Sequence, residues 1–216
     1  MKISRRTIPA GANLRIREVS EQEQSRTIEG TAIVFNAPSV PMYSDDELEI
    51  REVIAPEAIT DEILRSSDIL MTLYHNNERI LARSNRGQGT LNYERTNEGV
   101  TFSFDAPDTE DGRVALALVR SGDIGGCSFA FTIDEDNPGA IGRTSEEREG
   151  KTIVTYTVRK ILRLYDFTLT PRPAYESTEV ATRMRDEWKA GKEAKAAEAV
   201  QAAKDAEYLN SLASRY

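Results

Sequence analysis

The chain has 216 residues, 39% of them hydrophobic, which is enough for one folded domain with a core and a polar extension. Its formal charge of −8 disfavours nucleic acid as a partner, because affinity for phosphate backbones comes mainly from clustered Lys and Arg. One cysteine excludes an internal disulfide, and one cysteine with one histidine cannot supply the usual ligands of a structural zinc site, so no metal is expected.

Residues 1 to about 26 carry no firm signal for a helix or a strand, and residues 1–27 are treated as an N-terminal segment. Met1–Arg17 contains basic residues but lacks the apolar stretch of a secretory signal. No later run approaches the ~20 apolar residues of a membrane span. We therefore expect a soluble protein that stays in the cytoplasm and has no membrane partner.

Short strand-like runs separated by turns extend from about Ile28 to Thr170. Alternation is clearest in Val100–Asp105, where the apolar residues all fall on one face. The other predicted strands are Ile28–Asn36, Leu48–Ile54, Ile69–His75, Thr90–Tyr93, Ser128–Ile133, Thr152–Val158 and Ile161–Thr170. Strands spaced this closely predict a barrel or a sandwich.

Two short helices are predicted between the strands. Pro56–Ser66 has a proline early in its first turn, and Asp111–Ser121 ends before Gly122. The polar segment Asp134–Gly150 contains Pro and Gly, which predicts a mobile surface loop. The predicted class is α+β, with strands dominant.

The composition changes after about Ala181. Arg183–Tyr216 is dominated by Ala and by charged residues of both signs, with one Gly and no Pro. Its large apolar residues are too sparse for a buried helix, so we expect an exposed helical tail. The predicted domains are therefore residues 28–181 and a charged tail, residues 182–216.

His75 is the only histidine in the chain, and it follows the apolar run Ile69–Tyr74. Histidine accepts and returns a proton near neutral pH without much tuning, which makes His75 the general base of any hydrolase mechanism here. A single histidine at a strand end is more often a structural residue with satisfied hydrogen bonds. The catalytic interpretation therefore depends on a partner nucleophile.

Two nucleophiles stand side by side in Ser121–Phe131, which leaves a helix, passes through glycines and enters a strand. Because strand side chains alternate, Cys127 shares the predicted core face with Phe129, whereas Ser128 lies on the small, polar face. Ser128 is therefore the better nucleophile, and Cys127 is predicted to be buried. The glycines, Gly126 among them, can leave backbone N–H groups free for an oxyanion, although Gly-Gly is more often a simple turn.

Asp166 lies in the run Lys160–Thr170, among residues predicted to be buried on both faces. An ionised carboxylate there needs a partner, and a nearby arginine, Arg159 or Arg163, is favoured by the sequence alone. The other partner is a histidine. In that case strand segments supply a nucleophile, a base and an orienting carboxylate, as a serine hydrolase requires.

Five motifs follow one another in a specific order and spacing. They are Gly30–Asn36, Glu52–Ala58, Leu73–Asn76, Gly125–Phe131 and Leu164–Tyr175. Over roughly residues 28–180 they resemble the prohead maturation proteases of tailed bacteriophages, of the type encoded beside HK97-like major capsid proteins. The resemblance implies a fold similar to herpesvirus assemblins, a β-barrel wrapped by short helices, with His75 as the base and Ser128 as the nucleophile.

The chain departs from the family at two positions. The family often has a small or apolar residue where Cys127 stands, and Glu is common where this chain has Asp166. Asp is one methylene shorter than Glu, so it reaches the imidazole only if the strands approach more closely. Arg172 lies in a loop comparable to one that helps hold the oxyanion in assemblins, and it joins Gly126 and Cys127 as an oxyanion candidate.

The resemblance also implies a biological role. A prohead protease cleaves scaffold segments, the N-terminal extension of the major capsid protein and itself, inside the immature prohead in the cytoplasm of the bacterial host. Such a hydrolysis needs no cofactor. We further expect a homo-oligomer. The tail is either removed by self-cleavage or a passive solubilising segment, since its composition fits both.

Two other interpretations remain open. The chain can be a non-enzymatic assembly protein whose β domain binds the capsid lattice while its helical tail serves as scaffold. It can also be a thiol protease, with Cys127 as the nucleophile and His75 as the base.

Overall fold

The computed structural model describes residues 3–7, 13–17, 25–134, 136–171 and 178–213. The chain divides into two units, Met1–Ser177 and Thr178–Tyr216. The strands of the first unit, numbered in chain order, are β1 (Ser4–Thr7), β2 (Arg15–Ile16), β3 (Thr27–Val34), β4 (Tyr43–Ser44), β5 (Leu48–Ile54), β6 (Asp68–Leu73), β7 (Asn76–Asn85), β8 (Gln88–Gly89), β9 (Asn92–Arg95), β10 (Gly99–Asp105), β11 (Gly126–Ile133), β12 (Ile141–Arg148), β13 (Lys151–Val158) and β14 (Ile161–Thr170). Its helices are α1 (Asp61–Ser66) and α2 (Glu110–Ser121), with a 3₁₀ turn at Pro56–Ala58.

The strands form three sheets. Their strand orders are β1-β11-β14-β6-β7-β8, β2-β3-β10-β9 and β12-β13-β5-β4. The strand-rich α+β class is confirmed. The closed barrel is wrong for the described part of the chain, because strands that are close in sequence are divided among three sheets and each sheet keeps two edge strands.

Each predicted strand overlaps an observed one, but several elements differ from prediction. The segment Asp134–Gly150 is not a loop throughout, because β12 pairs with β13 along its whole length. Its side chains are mostly exposed, so an edge strand has the polar composition of a loop. The predicted helix Pro56–Ser66 is a 3₁₀ turn followed by α1, because Thr60 has an extended backbone and its side chain caps the N-terminus of α1.

Helix α2 has strong signals at both ends. The Thr109 side chain accepts a hydrogen bond from the Gly112 N–H, and Gly122 ends the helix in the left-handed region, at φ 77°. Its buried face includes Ala115 and Leu116. The helix thus contributes one apolar stripe to the core, as its sequence predicts.

The core packs the first two sheets together with the helices of the first unit, and the ends of β5 and β13 join it through Ile54 and Val158. Phe102 of β10 lies against Phe167 of β14, with ring centroids 6.4 Å apart. Both rings are buried, and burial of one such side chain contributes about 1.5–3 kcal/mol. This packing fixes β14, the strand that also carries Asp166.

The second unit contains one long helix, α3 (Thr178–Ala213). Its side chains between residues 189 and 206 are exposed. Lys192 lies over the Trp188 ring, 5.1 Å from its centroid. Within the described ranges, no helix combines the length and apolar character needed to cross a membrane.

Candidate active site

The candidate site lies on the central strands of the six-stranded sheet. Ser128 of β11 is directly opposite Thr168 of β14, and Ala130 is opposite Asp166. Thr168 is in turn beside Thr72 of the parallel strand β6. Directly opposed residues share a face of the sheet, and so do residues two apart on one strand. The register alone therefore places Ser128 and Asp166 on the same face of adjacent strands.

His75 reaches this face from the turn between β6 and β7. Tyr74 and His75 both have left-handed backbone conformations, with φ 58° and 56°. For residues other than glycine each such conformation costs on the order of 1 kcal/mol, so the surroundings must hold the turn. One restraint is the His75 N–H, which donates to the Thr168 Oγ1 at 2.9 Å.

The three side chains form a continuous hydrogen-bonded relay. His75 Nδ1 lies 2.8 Å from Asp166 Oδ1, and His75 Nε2 lies 2.7 Å from Ser128 Oγ. An ionised carboxylate only accepts, so Nδ1 carries the hydrogen and Nε2 is the acceptor in the neutral ring. Ser128 can therefore pass its hydroxyl proton to His75, which is the arrangement of an activated nucleophile.

Asp166 pairs with His75 and not with Arg159 or Arg163, the two arginines that the sequence favours. Its side chain is 7% exposed, and the His75 side chain is 17% exposed. The arginine pairing favoured by the sequence is thus replaced by a contact across two strands. The short Asp side chain is sufficient because β14 and β6 are adjacent and the turn after β6 brings the imidazole to the carboxylate.

Cys127 is fully buried, as the strand alternation predicts. Burial raises the pKa of its thiol far above the ordinary value, and the neighbouring Asp166 charge acts in the same direction. Its Sγ donates to the Ser128 carbonyl at 3.6 Å. These properties disfavour a thiolate nucleophile.

Thr168 and Thr72 form a buried hydrogen-bond network with the His75 backbone, which was not predicted from the sequence. The Thr168 Oγ1 accepts from Thr72 Oγ1 at 2.8 Å and donates to the Thr72 carbonyl at 2.9 Å, in addition to accepting from the His75 N–H. Both threonines are fully buried. Thr168 is two residues from Asp166 on the same predicted strand, and this spacing alone indicates that the two side chains share a face of the sheet.

The three oxyanion candidates are Gly126, Cys127 and Arg172. Gly126 and Cys127 lie in the ladder with β14, opposite Thr170 and Leu169. Arg172 is outside the described residues. Among the residues that are described, no group of three or more His, Cys, Asp or Glu is arranged to hold a metal ion.

The N-terminal segment also enters the site. Strand β1 pairs antiparallel with β11, with Thr7 opposite Ser128. The Ser128 Oγ donates to the Arg6 carbonyl at 2.7 Å. Residues 1–26 gave no strand signal, so this contact was not predicted.

Comparison with known proteins gives a family match and a structural similarity. A family model described as caudovirus prohead serine protease matches residues 12–192, most of the chain. Among solved structures, the capsid assembly protease gp21 of bacteriophage T4 is similar, with 11% sequence identity and a TM-score of 0.35, over 76% of this chain and 96% of that chain. No curated protein matches the sequence.

Proposed function

This chain belongs to the caudovirus prohead serine protease family, and from that membership we propose that it cleaves proteins of the assembling capsid with Ser128 as nucleophile, His75 as base and Asp166 as orienting carboxylate. The observation that carries the mechanism is the relay of hydrogen bonds from Asp166 Oδ1 through the imidazole to Ser128 Oγ, at 2.8 and 2.7 Å.

Peptide cleavage follows in two stages. Ser128 Oγ bonds to the carbonyl carbon of the substrate while its proton passes to His75 Nε2, and the carbonyl oxygen takes the negative charge. His75 then gives this proton to the leaving amine as the carbon–nitrogen bond breaks, which leaves an acyl ester on Ser128. Water attacks the ester in the same way, with its proton passing through His75 to Ser128 Oγ. Asp166 stabilises the imidazolium formed in each stage.

The proposed substrates are scaffold segments, the N-terminal extension of the major capsid protein and the protease itself. The family membership supports this choice, and it also supports a location inside the immature prohead in the bacterial host. We include a homo-oligomer in the proposal. The formal charge of −8 supports the proposal that nucleic acid is not a partner.

The tail, residues 182–216, is proposed to be removed by self-cleavage. The side chains of α3 between residues 189 and 206 are mostly charged or small, and they are exposed. This part of the helix therefore lacks the tertiary packing that supplies most of the stability of helices in proteins. Such a helix unwinds locally at small cost, and a protease needs an extended segment.

The test is the intact mass over time of the purified protein and of its Ser128→Ala and Cys127→Ala variants, at high concentration and with the capsid protein added. We expect the parent and Cys127→Ala to lose a C-terminal fragment and Ser128→Ala to stay whole. Cleavage by Ser128→Ala contradicts the serine mechanism, and an inert Cys127→Ala indicates the thiol protease. If no variant cleaves itself or the capsid protein, while Ser128→Ala still supports assembly, the scaffold interpretation replaces the protease.

A further inference from the structure

Strand β1 occupies the edge of the sheet beside the candidate nucleophile. Its residues run antiparallel to β11, with Arg6 opposite Phe129 and Thr7 opposite Ser128. Proteins commonly bind an extended peptide in this way, as a strand added to an exposed sheet edge. The backbone of β1 therefore lies where a substrate next to Ser128 can pair. With β1 in place, Ser128 is only 2% exposed.

The carbonyl group of Arg6 lies at the nucleophile itself. Ser128 Oγ is 2.7 Å from the Arg6 oxygen, so with a carbonyl bond of ~1.23 Å the Arg6 carbonyl carbon is at most ~3.9 Å from Oγ. The oxygen, not the carbon, faces the hydroxyl, which is a hydrogen bond rather than an attack geometry. Ser128 also has only one hydroxyl hydrogen, so donation to Arg6 competes with donation to His75 Nε2.

The Arg6 side chain fills a pocket that ends at Glu52. The side chains are 4% and 3% exposed. The Arg6 Nη2 donates to Glu52 Oε2 at 2.7 Å, and the Arg6 Nε donates to Oε1. The guanidinium also lies over the Phe131 ring, 5.6 Å from its centroid. A planar fork bound to both carboxylate oxygens is specific for Arg, and Lys cannot reproduce it.

Glu52 belongs to the body of the fold and not to the N-terminal segment. It lies on β5, where its N–H donates to the Ser39 Oγ at 3.0 Å and its carbonyl accepts from the Ser39 N–H at 2.8 Å. The acid is thus held in place by contacts that do not involve β1. A different peptide strand that carries Arg at the same position would meet the same pocket.

We propose that β1 is an intramolecular pseudosubstrate, in which Arg6 occupies the pocket where Glu52 binds the Arg that precedes the scissile bond of a substrate. The inference rests on the proposed protease function. In a bound substrate, the carbonyl group next to the nucleophile belongs to the residue before the cleaved bond. In this structure the carbonyl next to Ser128 is that of Arg6, so Arg6 occupies the position of that residue. A substrate must displace β1 and supply its own cation, because a buried carboxylate without a partner is costly.

The first experiment measures how fast a fluorophosphonate labels Ser128 in the full-length protein and in Arg6→Ala, Glu52→Gln and Arg5→Ala. This reagent needs no peptide subsite beyond the nucleophile. Both changes to the Arg6–Glu52 pair favour release of β1, so labelling should accelerate by about tenfold, since the open fraction of the protein limits it. Arg5→Ala is the matched control, because Arg5 is the exposed neighbour on the same strand.

The outcomes separate the inference from the function on which it rests. Labelling of Ser128 that is unchanged or slower in Arg6→Ala and Glu52→Gln keeps the serine nucleophile and overturns the pseudosubstrate. No labelling of Ser128 in any variant overturns both the function and the inference. Acceleration in Arg5→Ala equal to that in Arg6→Ala also contradicts the inference, because it shows a general loosening of the strand.

The second experiment reads the specificity of the pocket. The Arg6→Ala protein is incubated with a proteome-derived peptide library, and mass spectrometry identifies the residue before each new end. We expect Arg to be preferred over Gln by at least about tenfold, with Lys between them, and we expect this preference to be lost when Glu52→Gln is added. Cleavage without a preference for Arg, or a preference that survives Glu52→Gln, refutes the role of Glu52.

Discussion

Replacing Thr168 with Val tests whether the buried threonine network positions His75. The substitution keeps the shape of the side chain and removes its hydroxyl. The Thr168 Oγ1 now accepts from the His75 N–H at 2.9 Å and from the Thr72 Oγ1 at 2.8 Å. Val therefore leaves two buried donors without their acceptor, one of them in the turn that carries the candidate base.

The expected magnitude follows from these two donors. A buried donor left unpaired costs about 1–3 kcal/mol, and the Thr72 hydroxyl can rotate to recover part of its loss, so the free energy of unfolding should fall by about 2–3 kcal/mol. His75 lies in a turn with two left-handed residues, and loss of its N–H acceptor lets this turn relax. A shift of ~1 Å in a catalytic group costs up to about 100-fold, so kcat should fall by about 10- to 100-fold.

The assay measures kcat and KM with a fluorogenic peptide that carries the mapped self-cleavage sequence, together with urea unfolding. Thr168 is fully buried and cannot touch substrate, so KM should change little. Thr168→Ser keeps the hydroxyl and should recover most of kcat. Thr132→Val is the matched control on β11, because the buried Thr132 Oγ1 has no hydrogen-bond partner in the structure, and its removal should raise stability by about 1 kcal/mol.

The positioning role would be refuted by a Thr168→Val protein that is less stable but has the parent kcat. Equal losses of kcat in Thr168→Ser and Thr168→Val would also refute it, because the hydroxyl would then not be the group that matters. A loss of stability in Thr132→Val as large as that in Thr168→Val would show that any Thr to Val change in these strands is disruptive.

Three further predictions concern single side chains. Asp166→Asn presents an amide to His75 Nδ1 and should lower kcat, measured from initial rates at neutral pH, by about 10³- to 10⁴-fold. A loss below tenfold would contradict the orienting role of Asp166. Iodoacetamide at pH 8 should leave Cys127 unmodified and activity intact, because burial raises the pKa of this thiol, and rapid alkylation in the native state would contradict that burial. The Arg83 guanidinium lowers the pKa of Asp68 through a hydrogen bond. In urea unfolding, Arg83→Gln should therefore be slightly less stable than the parent at pH 7, and this difference should vanish as the pH falls through the pKa of Asp68 in the folded protein. A difference that does not change with pH would contradict this.

The sequence predicts best where a local pattern reports burial. Val100–Asp105 alternates apolar and polar residues and forms most of β10, and Ile161–Thr170 coincides with β14. The alternation around Cys127 correctly predicts its burial, but the opposite face of β11 is not open, since Ser128 is equally hidden. Alternation reports which side chains share a face and does not report what covers that face.

The elements that the sequence missed are edge strands and their partners. Within the described ranges strand β12 is paired along one edge, and most of its side chains face solvent, so its composition is that of a loop. Strand β1 has four residues, too few for a period to be visible. It pairs with β11, and its Arg6 contacts Glu52, 46 residues away. No local rule contains either long-range contact.

The partner of Asp166 shows a related limit. Arg159 and Arg163, the partners that the sequence favours, both lie within seven residues of it along the chain. The observed partner is 91 residues away, because a parallel neighbour and a strained turn bring His75 over the carboxylate. The catalytic roles of Ser128, His75 and Asp166 stay predictions, which the Ser128→Ala and Asp166→Asn variants test.

The proposed catalytic residues lie on or next to central strands of the six-stranded sheet, whereas the proposed pseudosubstrate is an edge strand. Ser128 and Asp166 lie on strands paired along both edges, and His75 follows a third such strand. Without β1, strand β11 keeps its ladder with β14, and β14 and β6 each stay paired along both edges. Among the described residues, strand β1 is paired with β11 alone, over four residues. Its removal breaks this short ladder, the Ser128–Arg6 hydrogen bond and the contacts of the Arg6 side chain, the ion pair with Glu52 among them. A substrate can therefore replace β1 while the relay of hydrogen bonds stays assembled, which is the property that a pseudosubstrate requires.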